Sequence, residues 1–151
     1  MIEEFKFYHG VVLAGLVDNF EDKISFQRLV YKNNAMYLIN DNIGLYIKHS
    51  SARLSPWRFS FQQEHVIDIY ALMLSQKNCF LALACGRDCV AVLDQEEIHQ
   101  LLDHEQIKPQ WISVRTTRNR SLTVEGSQGS LKRKILKSKP FDRIYSLIEK
   151  G

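Results

Sequence analysis

The feature that most constrains how this chain folds is the run Cys79 to Cys85, CFLALAC, seven residues without a polar side chain among them. A strand with one wet face alternates apolar and polar residues, so an unbroken run of this length needs cover on both faces. It belongs in the middle of a layered domain. Gly86-Arg87-Asp88 turns it into a partner strand, Val90 to Leu93. Ahead of it, Val66, Ile69, Tyr70 and Met73 fall at i, i+3, i+4 and i+7, the stripe of a helix packed on a sheet.

The remaining pattern supplies the layers. Between Glu4 and Phe20, the residues Phe5, Tyr8, Val12, Leu13, Leu16, Val17 and Phe20 recur at three- and four-residue steps, which predicts an amphipathic helix. Alternation predicts strands over Ile24 to Tyr31 and over Trp57 to Phe61, and a hairpin of Ala35 to Ile39 with Gly44 to Ser50 about Asn40-Asp41-Asn42. Asp94 stands three residues before Glu97, a capping box opening a short helix. Ile112 and Val114, then Leu122 and Val124, alternate on either side of a turn at Arg118-Asn119, with Leu131 to Ile135 expected to pair beside them. Pro140 suits the start of a final helix through Phe141, Ile144, Tyr145 and Ile148. The expected fold is a single α+β (mixed α/β) domain over 1–151, a central mostly antiparallel sheet flanked by helices, with a basic β-hairpin and helix over about 111–150.

Composition agrees with a packed domain, since 45% of residues are apolar and 25% charged. No apolar run approaches the roughly 20 residues that cross a bilayer. The acidic start Met1-Ile2-Glu3-Glu4 lacks the basic segment of a secretory signal, so a cytoplasmic protein with no membrane partner is expected. Cys79, Cys85 and Cys89 are odd in number and not at metal-ligand spacing, which suits small buried side chains in a reducing compartment. His99 and His104 flank a helix end and read as solvated surface ahead of a ligand pair.

The overall charge of +3 is unevenly spread. From Trp111 to Pro140, eight cationic side chains (Arg115, Arg118, Arg120, Lys132, Arg133, Lys134, Lys137, Lys139) face Glu125 alone, so this segment carries +7 and the rest of the chain −4. Such a field binds polyanions by releasing counterions, and equally serves as a lysine-guarded sheet edge. The partner expected is nucleic acid, DNA ahead of RNA. Self-association between the acidic body and the basic hairpin is the competing use.

At Gly44-Leu-Tyr-Ile-Lys-His-Ser50, followed by Trp57-Arg-Phe-Ser-Phe61, a helix and CFLALACGRDCVAVLDQEEI, the chain resembles the restriction-endonuclease-like superfamily, the PD-(D/E)XK nucleases. The resemblance covers about residues 1–105 and rests on the order of elements and on Lys48. It implies a nuclease-like core in which a glutamate on the first helix, an aspartate opening the second strand and an acidic-x-Lys end of the third strand surround a divalent metal. Two carboxylates in that family hold Mg²⁺, which polarises the phosphate and acidifies an attacking water, while the lysine orients or activates that nucleophile. The activity implied is metal-dependent hydrolysis of DNA, or binding of nucleic acid without cleavage where the carboxylates are lost.

Carried onto this chain, the resemblance puts Lys48 in the lysine's place, Tyr46 in that of the second acidic residue, and Asn33 or Asn34 in that of the first aspartate. Amides and phenols bind Mg²⁺ poorly. Oxygen ligands from elsewhere would be Asp41 at the hairpin turn, Glu4 on the first helix, or Glu64 and Asp68 on the second. The catalytic candidates are thus Lys48, Tyr46, Asn34, Asp41 and Glu4, with Mg²⁺ as cofactor if the site is active. Candidate nucleic-acid contacts are Arg53 and Arg58 around Trp57, together with Arg115, Arg118, Arg120, Lys132, Arg133 and Lys134. His9 is placed to approach the same face, although a lone histidine on an apolar stripe is more often a satisfied core residue.

Overall fold

Cys79 to Cys85 takes the place its composition demands. In a computed structural model describing residues 1–29, 34–118 and 120–150, it forms most of β5 (Asn78–Cys85), and Cys79 to Cys85 are all buried. Elements in order are α1 (Glu4–Asp18), β1 (Phe26–Arg28), β2 (Met36–Ile39), β3 (Ile43–Ser50), β4 (Trp57–Phe61), α2 (Gln63–Ser75), β5, β6 (Cys89–Leu93) and α3 (Gln95–Leu101). They continue with β7 (Gln110–Thr116), β8 (Ser121–Gly126), β9 (Gly129–Ser130), β10 (Ile135–Leu136) and α4 (Asp142–Lys150). The class is α+β, with four helices and two mostly antiparallel sheets among the described residues.

The first sheet runs β1-β2-β3-β5-β6, antiparallel except where β3 and β5 lie parallel, Ile43 opposite Asn78 through Ser50 opposite Cys85. Its alternation explains the unbroken apolar run. Phe80, Ala82 and Ala84 join Ile43, Leu45 and Ile47 beneath Val12 and Leu16 of α1 and Ile144 of α4. Cys79, Leu81, Leu83 and Cys85 face the other way, into a core shared with α2, α3 and a second sheet. That sheet runs β10-β8-β7-β4, with β9 pairing β8. Helices cover one face of the first sheet, while the second sheet, with α2 and α3, closes the other.

Several boundaries differ from expectation for physical reasons. Trp57 to Phe61 does not join the sheet of the β2–β3 hairpin but pairs β7, with Trp57, Phe59 and Phe61 facing the shared core and Arg58 and Ser60 facing solvent. The strand expected to reach Tyr31 spans only Phe26–Arg28, and Tyr31 lies outside the described residues. Val17, expected on the core stripe of α1, is 47% exposed. The turn chemistry is as expected: Asn40 and Asp41 have φ of 49° and 67°, and Asp94 accepts from the Glu97 N–H while Glu97 accepts from the Asp94 N–H. Gly86 has φ of 53°, and a Cβ there would stand 2.4 Å from the Ala52 carbonyl oxygen.

Candidate functional site

The site lies beyond the end of β2. Pairing of β2 with β3 runs to Met36 opposite Tyr46, and the Ile47 N–H donates to the Ala35 carbonyl at 2.9 Å. Past that point Lys48 and His49 continue along β3 and line a cavity of about 220 Å³ together with Asn34, Tyr46, His9 of α1 and His65 of α2. Strand alternation splits the pair. Lys48 points to the α2 side, and His49 points to the α1 side, its ring stacked on Tyr8 at 4.5 Å.

Lys48 is half-buried, with its ammonium 5.0 Å from the centroid of the Phe61 ring. Burial lowers its pKa, and among the described residues no carboxylate forms an ion pair with it. His9 is only 5% exposed, and its Nδ1 is 2.8 Å from the Tyr37 hydroxyl. Burial first, then His49 and Arg28, hold His9 down to about 4. His65 is depressed by burial and then by Lys48, against the opposing pull of Glu64 and Asp68. Its Nδ1 accepts the Gln62 N–H at 3.1 Å, so the neutral ring carries its proton on Nε2. His49 is likewise lowered, chiefly by burial. These imidazoles are all biased toward their neutral forms beside a cation.

Of the residues expected from sequence, Lys48, Tyr46, Asn34 and His9 meet in this cavity. Asp41 does not. It sits at the β2–β3 turn, the opposite end of β3, and seven residues at about 3.3 Å each put it roughly 20 Å from Lys48. A turn former at the head of a strand cannot serve the strand's tail. Glu4, in the first turn of α1, lines an adjacent larger cavity and reaches the site only through its field on His49. Asn33 lies outside the described residues.

The donor set does not make a Mg²⁺ cage. Among the described residues no three His, Cys, Asp or Glu side chains gather as a ligating group. Burial, with Asp68 and Glu64, pushes the Tyr46 phenol up, so it stays protonated and a poor ligand. His99 and His104 both rest on the Tyr70 ring, at 5.2 and 4.7 Å between centroids.

The cationic candidates are dispersed. Arg58 and Arg115 occupy the solvent face of the second sheet, and the Arg58 guanidinium lies 4.6 Å from the Trp111 ring centroid. Arg118 and Arg120 bracket the β7–β8 turn, where the Arg120 carbonyl accepts the Lys137 N–H. Lys132 and Arg133 line a cavity with Asp94, Glu96 and Glu97 of α3, and Lys134 is exposed beside them. Arg53 is exposed in the loop before β4. Trp57 is a core residue, 2% exposed, its indole N–H donating to the Ala52 carbonyl at 3.0 Å.

His49 and His65 were not anticipated. Neighbours on a strand face opposite ways, so His49 does not register beside Lys48 until the cavity they share is seen. The one local signal for His65 was Gln62-x-x-His65, a capping box with an imidazole in the usual carboxylate position. In comparisons with known proteins, the chain matches no family model, no curated protein and no solved structure.

Proposed function

We propose that this protein binds nucleic acid through the phosphate backbone, with a phosphate oxygen entering the Lys48 cavity. The observation that carries the reading is Lys48 itself, a half-buried ammonium without a carboxylate partner among the described residues. A desolvated cation is costly until an anion approaches it, and a phosphate supplies that charge together with acceptor oxygens. The His65 Nε2–H and the Asn34 amide are donors of the right kind on the same walls. Glu4, through its field on His49, and Glu64, through its field on Tyr46 and His65, oppose a polyanion, and at physiological salt such fields fade over about 8 Å. Arg58, Arg115 and Trp111 on the second sheet offer phosphate contacts and an aromatic face elsewhere on the molecule.

Cleavage is the second reading, and the histidines favour it. Neutral His49 can accept a proton, and the His65 Nε2–H can donate a hydrogen bond to a phosphate oxygen beside a cation that would stabilise charge on it. The test is a titration of labelled single-stranded and duplex DNA at two salt concentrations, for the wild type and Lys48→Gln, with parallel cleavage assays in Mg²⁺ and in EDTA. Binding that falls with salt and weakens in Lys48→Gln supports the proposal. Absence of binding at low salt refutes it, and binding without any cleavage refutes only the second reading.

A further inference from the structure

We propose that Cys85 and Cys89 form a peroxide-oxidisable dithiol, in which Cys89 takes up the oxygen and Cys85 resolves it to an intramolecular disulfide. This inference is independent of the Lys48 reading. The first support is register. Cys85 and Cys89 are directly opposite each other across the β5–β6 pair, joined by the tight turn Gly86-Arg87-Asp88. Opposed residues of an antiparallel pair have Cα atoms about 4.5–5.5 Å apart. That lies inside the roughly 4.4–6.8 Å a disulfide spans, so the bond closes without moving the backbone. Both side chains also share a face, Cys85 within the core and Cys89 packed against it.

The two thiols differ in access, which assigns their roles. Cys85 is 0% exposed, whereas Cys89 is partly exposed and lines a cavity of about 510 Å³ with Asp88, Arg120 and Lys137. The Lys137 ammonium is held there by Asp88 at 2.7 Å. The Cys85 thiol donates to the Leu83 carbonyl at 3.5 Å. The proximity of Cys85, helped by Lys137 and opposed by burial and Asp88, lowers the Cys89 thiol, while the proximity of Cys89 and burial raise Cys85. The accessible sulfur is the better nucleophile and the enclosed one retains its proton.

The chemistry balances with a hydroperoxide as the oxidant. The Cys89 thiolate attacks the peroxide, an S–O bond forms and the O–O bond breaks. The departing alkoxide takes up a proton as an alcohol, or as water from hydrogen peroxide. Cys89 sulfur, now a sulfenic acid, has lost two electrons. The Cys85 sulfur then attacks it, S–S forms, S–O breaks, and hydroxide leaves with the Cys85 proton as water. Cys79 is a built-in control. It is buried on the same strand, faces Gly44 rather than a cysteine, and burial pushes its thiol up to about 12.

The full chain should be treated with hydrogen peroxide, quenched by alkylation and mapped by mass spectrometry. A Cys85–Cys89 linkage that dithiothreitol reverses, formed at least about tenfold faster than any loss of the Cys79 thiol, is the expected result. In Cys85→Ser, a sulfenic acid should accumulate at Cys89 and be trapped by a dimedone-type reagent; in Cys89→Ser, Cys85 should stay reduced. Oxidation of Cys79 as fast as Cys89, or three thiols inert in the wild type at a dose that oxidises free cysteine, would overturn the proposal without reference to how either variant folds.

Discussion

Replacing Lys48 by methionine should move stability and nucleic-acid affinity in opposite directions. The side chain keeps its length and its packing on Phe61, since a thioether over an aromatic ring is worth about as much as a cation there. What disappears is the desolvation of an ammonium that burial already disfavours, so stability should rise. A charge-assisted hydrogen bond to phosphate is worth roughly 1.5–3 kcal/mol, so affinity should fall about ten- to hundredfold. The salt slope on duplex DNA should shrink by about 0.9, the signature of one phosphate fewer being neutralised. Urea unfolding at pH 7 gives the first quantity, and fluorescence anisotropy of a labelled duplex at several salt concentrations gives the other two. If Lys48→Met loses stability, the ammonium is a structural group. If the slope is unchanged, no phosphate sits at Lys48.

His9 makes stability pH-dependent: its folded value of about 4 lies below the ordinary 6.5, so the unfolded chain binds the proton first and stability falls as pH drops from 6.5 toward 4. The loss reaches about 3 kcal/mol from this group when complete, and urea midpoints across that range should show a flatter profile in His9→Gln, with His49 and His65 supplying the remaining slope in the same direction. Gly86→Ala should cost roughly 2 kcal/mol or more, because the residue has positive φ and its new Cβ would meet the Ala52 carbonyl that also holds the Trp57 indole; thermal unfolding unchanged from wild type would contradict that geometry. Reversing Arg58, Arg115 and Arg120 should flatten the salt slope of binding by up to about 0.9 for each phosphate no longer neutralised, with little change in stability. Reversing Lys132 and Arg133 should do less, because the acids of α3 already share their cavity, and an equal effect would show that those acids leave the charge free.

Local pattern carried the elements well. The capping box at Asp94 and Glu97, the left-handed turn at Asn40 and Asp41, and the doubly buried strand from Cys79 to Cys85 depend on neighbours within a few residues, which a sequence displays directly. The order of elements and the α+β class followed from them. Partnering did not. An alternating strand such as Trp57 to Phe61 states that one face is buried but not against what, and only the assembled core assigned it to a second sheet.

The site shows the same division. Sequence singled out Lys48, yet could not tell that β2 pairs β3 only as far as Tyr46 among the described residues. The fold brings His9 of α1 and His65 of α2 to Lys48 and His49 on β3, and it leaves Asp41 at the other end of the strand. Burial and the spacing of charges in three dimensions set the protonation of those groups. Residue types fix what chemistry is available, and tertiary contacts decide which groups meet and how much water each keeps.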